Sequence, residues 1–259
     1  MRRLVFASTI LMTASVANAA VTSSTVHGAL GNSLDGSVAV GDALSGLIAT
    51  ELPGDNGWHP ANPAATNGSL DPSGLPTFTN DSGESGLAGL LNDFPDAGLP
   101  AKRLQYDLAG ATDIGEIRIL TGNDGLDGRV FSTTVIGLST DNGANFDTLG
   151  YFQSDPSGTT NSGQWGSTLV TIFDDASPFL ASGVTNIQFD FYGVDNTGGQ
   201  MRDPFDGENP FTGADDGLSA PNTSPLVWEI DVLTVPEPSS VMLASLATLG
   251  VGLIARRRR

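Results

Sequence analysis

From Leu104 onward, apolar and polar positions alternate. Leu104, Tyr106 and Leu108 interleave with Gln105 and Asp107, and Ile117 and Ile119 with Glu116 and Arg118, the period of a half-buried strand. A strand predicted from Val130 to Thr140 runs into Asp141-Asn142-Gly143, and Phe146 to Phe152 returns. Asn-Gly accepts positive φ at little cost, so this segment predicts a hairpin. Trp165 to Phe173, Val184 to Tyr192 and Leu226 to Leu233 complete the series. In the last two, Ile187, Phe189 and Phe191, then Trp228, Ile230 and Val232, are expected to face the core. Upstream, Val21 to Ala49 reads as one or two short strands. Glu51 to Pro100 is rich in Pro, Gly, Asn and Asp, which predicts long ordered loops over one end of a sheet, with a short turn around Leu87 to Leu91. Helix signals are nearly missing from the body. Antiparallel strands joined by turns predict an all-β fold, an antiparallel β-sandwich with long loops.

Both ends depart from this pattern. Arg2 and Arg3 precede a mostly apolar stretch from Leu4 to Met12, and Ala17-Asn18-Ala19 is a small-x-small cleavage site. Residues 1–19 therefore read as a secretory signal helix, cut by signal peptidase to leave Ala20 first in the mature chain. At the other end, Val241 to Ala255 is an uncharged apolar run, followed by Arg256, Arg257, Arg258 and Arg259. Four arginines stay on the cytoplasmic side of a bilayer, so the run reads as a transmembrane helix with a stop-transfer cluster. At about 1.5 Å per residue it spans about 22 Å, short of a hydrocarbon core of about 30 Å. Ser239 and Ser240 must then enter the interface and the arginine stems must snorkel. The expected organisation is a signal peptide at 1–19, an exported β-sandwich domain at 20–234 and a tail at 235–259.

Removing both ends changes the charge balance. Between Ala20 and Thr234 only Lys102, Arg103, Arg118, Arg129 and Arg202 are basic, against 28 acids, a net −23 compared with −18 for the whole chain. With no basic patch to displace counterions, nucleic acid is excluded as a partner. Two readings of the acidity stand: a solvated, self-repelling surface, or calcium binding outside the cell. The candidate calcium ligands are Asn123, Asp124 and Asp127 in TGNDGLDGRV, and Asp203, Asp206 and Glu208, with Asp215 and Asp216, in the insertion before the last strand. The first group resembles half of an EF-hand loop but has Thr134 where the twelfth-position acid belongs. A polar turn and a solvated loop are the respective alternatives.

Cysteine is absent, so neither disulfides nor thiolate metal sites hold the fold. His27 and His59 are the sole histidines, which argues against a zinc site built on imidazoles; His59 reads as a surface or cap residue. There is no G-x-S-x-G elbow and no Gly-rich phosphate loop between a strand and a helix. The residues thus argue against an enzyme and name no catalytic residue.

The order Pro236-Glu237-Pro238, short apolar helix, terminal arginine cluster resembles the PEP-CTERM sorting signal of Gram-negative bacteria that make extracellular polysaccharide. That resemblance implies recognition by exosortase, a membrane transpeptidase, near the Pro-Glu-Pro motif. It also implies export across the inner membrane as a membrane-anchored precursor, delivered to the cell surface or medium. The succession LQYDL, IGEIRIL, VIGLSTDNGANFDTLG, VTNIQFDF and VWEIDVL resembles the galactose-binding-like, or discoidin-like, jelly roll. Ser139, Asp141, Gly143 and Phe146 match its S-x-D-x-G hairpin, and Glu229-Ile230-Asp231-Val232 its closing strand. The match departs in the first 80 residues of the body. Together these resemblances imply a noncatalytic cell-surface or matrix protein that binds polysaccharide or another envelope component. The alternative is a carbohydrate-active enzyme, a glycoside hydrolase or lyase, with its carboxylates in the Glu51 to Pro100 or Asp195 to Pro225 loops.

Overall fold

The computed structural model describes residues 21–31, 34–83, 86–123, 128–154, 163–195 and 201–235. The signal segment, with Ala17, Ala19 and Ala20, and the tail from Pro236 lie outside the described residues, as do Asp124 and Asp127. The strands are β1 (Val21–Ala29), β2 (Thr50–Glu51), β3 (Ala65–Thr66), β4 (Ser69–Leu70), β5 (Lys102–Gly122), β6 (Thr133–Ser139), β7 (Asp147–Gln153), β8 (Trp165–Asp174), β9 (Ala181–Phe191) and β10 (Leu226–Thr234). Short 3-10 turns occur at Asp35–Ser37, Leu75–Phe78 and Gly128–Val130. Apart from the small β3–β4 ribbon, all strands belong to one antiparallel hydrogen-bonded sheet.

β5 turns that sheet into a sandwich. Its first half pairs with β9 and β2, and its second half with β8 and β10. The register breaks between Asp107 and Thr112, where Leu-Ala-Gly-Ala sits opposite far fewer residues of β9. Extra residues on one strand bend it and increase its twist. One leaf is therefore β1-β8-β5-β10 and the other β7-β6-β9-β5-β2. Between them lie Ile117, Ile119, Val170, Ile172, Val227, Ile230 and Val232 from one leaf, and Leu104, Tyr106, Ile136, Ile187, Phe189 and Phe191 from the other.

Most predicted strands are present, with two changes. The segment from Val130 opens as a 3-10 turn, and β6 begins only at Thr133. Trp228 does not reach the main core. A bulge between Val227 and Glu229 shifts the alternation, so Val227 takes the core position, and Trp228 packs with Leu90, Leu120, Leu169 and Leu226 in a satellite cluster. Asn142 and Gly143 have φ of 59° and 79°, the paired left-handed backbone that an Asn-Gly hairpin requires.

The register also sorts the connections. Near one end, Val130 and Phe131, Val194 and Met201, and Trp165 pack together, while Val194 donates to Thr223 O and Leu91 to Pro225 O. The long segments 30–101, 123–132, 154–164 and 192–225 all leave the strands at this end. The opposite end holds the Asn142-Gly143 hairpin and both ends of the domain. Val21 pairs with Asp174, Thr234 pairs with Ile114, and Val235 N–H donates to Asp113 O. The chain therefore passes into its tail at the end opposite the long loops.

β10 would be an open edge, which invites pairing with other chains. The 30–101 segment closes it: Val227 N–H donates to Gly89 O, Ala43 N–H to Val232 O, and Val232 N–H to Asp42 Oδ1. A Cβ on Gly89 would overlap the Val227 carbonyl, a rigid neighbour, whereas a Cβ on Gly36 would meet nothing within 4 Å. Gly89→Ala is expected to destabilise the fold by about 1–3 kcal/mol, through overpacking against backbone. Gly36→Ala is expected to stay within about 0.5 kcal/mol of the parent. Urea denaturation of the two variants checks both values.

Candidate functional site

At the loop end, several polar side chains hold one another in place. Arg129, in the 3-10 turn after β5, donates two parallel hydrogen bonds to Asp93, 2.8 Å to Oδ1 and 2.6 Å to Oδ2. Such bidentate pairs are among the strongest side-chain contacts. Burial pushes the Asp93 carboxyl up, but Arg129 and the Ser224 N–H more than offset this and hold it below the usual range. His59 Nδ1 accepts from Ala61 N–H, leaving the ring proton on Nε2, 3.4 Å from Asp93 Oδ2. His59 is thus the cap residue that the sequence suggested, and it also faces an acid.

A second locked group lies at the start of β5. Lys102, 3% exposed, places Nζ 2.7 Å from Glu51 and 3.0 Å from Asp55, and 5.0 Å from the centre of the Trp58 ring. Trp58 Nε1 donates to the same Glu51 carboxylate at 2.7 Å. A buried cation needs such compensation, because removing one partner leaves an unpaired charge in a poorly solvated place. His27 lies on β1, stacks on Trp165 at 4.0 Å and meets Thr168 Oγ1 at 2.9 Å.

A third cluster sits along β10. Glu229 and Asp231 are 1% and 2% exposed beneath the 35–45 and 81–83 segments. Glu229 accepts from the N–H groups of Asp81 and Ser82, and Asp231 Oδ2 from Ala39 N–H at 2.9 Å. Among the described residues Asp231 Oδ1 and the buried Tyr106 hydroxyl have no partner. Ser45 Oγ bridges Asp42 and Asp81 at 2.9 and 2.7 Å. Desolvation first, and then the Asp231 charge, push Glu229 up to about 8; desolvation and Asp42 push Asp231 up to about 6. Alternation alone assigns these two acids to solvent; only the overlying loop buries them, so their residue types carried no sign of it.

The other residues singled out from sequence are spread over both ends of the sandwich. Ser139 Oγ and Asp141 organise the hairpin itself. Gly143 N–H donates to Ser139 Oγ at 2.9 Å, and Asn145 makes two bonds to Asp141, which hold that carboxyl down to about 2. Asn123 Nδ2 donates to Trp165 O at 2.9 Å, while its buried Oδ1 lacks a partner among the described residues. Asp203 is buried and caps a turn through Phe205 N–H; desolvation raises its carboxyl despite that bond, and Asp216 and Asp215 add to the rise. Asp206 accepts from Ala220 N–H, and Glu208 is exposed. Among the described residues no three His, Asp or Glu side chains come together as a metal ion would require.

The arrangement defines an all-β domain: an antiparallel sandwich whose long connections leave the strands at one end and whose other end leads into the tail. Residues 234–259 of that tail match the PEP-CTERM protein-sorting motif. The motif implies export and a membrane-anchored precursor processed by exosortase. No protein of curated function matches the sequence. Among solved structures, the chain is similar to one from Clostridium perfringens titled CpGH89CBM32-4, with 10% identity and a TM-score of 0.34, over 75% of this chain and 100% of that one. A likeness at that score is too distant to bear on function.

The raised acids set a pH dependence. A carboxyl whose folded pKa exceeds its unfolded value stabilises the fold fully below the unfolded value, and that contribution is lost as pH rises through the folded pKa. For Glu229 and Asp231 the loss runs from about pH 4 to about pH 8. The melting temperature is expected to fall across this window, and Glu229→Gln to flatten its upper part. Differential scanning calorimetry at constant ionic strength checks both.

Proposed function

We propose that this protein is a noncatalytic cell-surface or matrix protein, exported across the inner membrane of a Gram-negative bacterium, whose sandwich binds polysaccharide at its loop end. The observation that carries the reading is the opposite placement of tail and loops: Thr234 and Val235 leave beside Ile114 and Asp113, while the four long connections leave the strands at the far end. A chain held by its tail presents that loop end outward. There the Arg129–Asp93 pair and the Lys102–Glu51–Asp55 group fix polar and aromatic side chains in advance, which lowers the ordering cost of binding. Signal peptidase and exosortase are the processing partners of this reading. A glycan array and a polysaccharide hydrolysis assay on the full chain in detergent test it. Binding without release of reducing ends is expected; turnover would favour the alternative, a carbohydrate-active enzyme with carboxylates in these loops.

Calcium belongs to the same reading. The buried Asn123 Oδ1, without a partner among the described residues, immediately precedes Asp124 and lies four residues before Asp127, which supports an oxygen-donor loop for a divalent cation. Asp203 spends a carboxylate oxygen on its own turn and Asp206 one on the Ala220 N–H, and both fit the role less well. At one hundred times Kd, binding to the folded state adds about 2.7 kcal/mol. The melting temperature of the full chain is expected to rise with calcium and less with magnesium, at constant high salt. Equal shifts, or none, would leave these acids as solvated loops.

A further inference from the structure

Phe94 is 73% exposed and has a φ of 58°. Positive φ in a bulky residue is a genuine outlier, and Pro95 further restricts position 94 toward extended backbone. A large apolar ring in water, on backbone that it disfavours, gains nothing for the fold, so the surroundings must impose the conformation.

They do so from both sides. Asn92 N–H donates to Gly57 O, Asn92 Nδ2 to Asn56 O at 2.9 Å, and Asn56 Nδ2 to Asp93 O at 2.6 Å. The Asp93 side chain is held by Arg129 and Ser224 N–H, and Ser224 Oγ donates to Asn92 O. Phe94 N–H donates to Asn222 O at 2.8 Å, tying the 91–100 loop to the 192–225 loop. Pro95 is buried. Only the ring is left out of this frame.

We propose that Phe94 is the stacking platform of the loop-end binding site, taking the apolar C–H face of a pyranose in a neutral polysaccharide; the inference rests on the polysaccharide-binding reading of the loop end. An aromatic face with fixed geometry receives a flat apolar surface at little entropic cost. Exposed Asp96 and Asn222 and half-buried His59 lie beside it in the chain or through the Asp93 and Asn222 bonds, and these are donors and acceptors for sugar hydroxyls. The net −23 of the body disfavours a polyanionic glycan, which selects the neutral class.

The strain supplies a test that separates a binding role from a structural one. Glycine suits positive φ, so Phe94→Gly is expected to leave the melting temperature unchanged or raised. Affinity electrophoresis of the full chain in detergent, with neutral galactan, glucan and mannan as probes, should show the affinity of Phe94→Gly reduced about tenfold or more for the polymer that wild type binds. Phe94→Tyr, which keeps the ring, should bind like wild type. Wild-type binding that survives Phe94→Gly undiminished overturns the platform alone. A wild type that binds none of the three overturns the platform and the underlying reading together. Retention on alginate or on lipid vesicles instead, lost in Phe94→Gly, overturns the neutral-sugar assignment.

Discussion

The bend in β5 is the constraint on which the rest depends. A single strand serves both leaves, so its first half must be satisfied by β9 and β2 and its second by β8 and β10. The interruption around Gly110 lets one hydrogen-bonded sheet close over its own apolar side. Because β5 starts and ends near the same pole, its neighbours send their long connections to that pole and their short ones to the other. The division between a loop end and a tail end follows from this one strand.

The chain has no disulfide to hold the long irregular excursion of residues 30–101 against that frame, and its scarce cations take that role instead. Lys102 holds Glu51 and Asp55, Arg103 reaches Pro53 O as well as Asp190, Arg118 reaches Ser37 O, and Arg129 grips Asp93. Four of the five basic residues of the body therefore tie the 30–101 segment to β5 or to the turn that follows it. Exposed pairs contribute little, but Lys102 and Arg129 are 3% and 11% exposed, where breaking a pair costs several kcal/mol. An acid is never far away in so acidic a body, so the positions of the few cations decide which parts of the loop are held.

Much of the sandwich was legible in the sequence because half-buried strands carry their own signature. The alternation in Leu104 to Leu108 and Ile117 to Ile119 and the Asn142-Gly143 turn required no knowledge of partners. Trp228 was misplaced because a one-residue bulge reverses the faces, and nothing local announces a bulge. The burial of Glu229 and Asp231 was hidden for a related reason: their strand has the correct alternation, but its second face is covered by a loop about 190 residues away in sequence. Phe94 gave no signal at all, since a phenylalanine in a Pro-rich loop reads as an anchor. Its exposure and backbone angle come from bonds made by Asn56, Arg129, Ser224 and Asn222, which meet only in the folded chain.

Raised acids beneath the 35–45 segment and a strained phenylalanine at the loop end both work against stability, and both involve the same long excursion. Strain of this kind costs about 1–3 kcal/mol, and an ionised buried carboxylate costs more as pH rises. Domains of this size have only about 5–15 kcal/mol in hand. The two costs differ in what they leave behind. The carboxylates are enclosed and help fix the loop, through Ala39, Asp81 and Ser82, against β10. The phenylalanine is 73% exposed, so burial of its ring does little to offset the cost of its backbone. In the proposed binding role, a sugar stacked on that ring at the loop end offsets the cost.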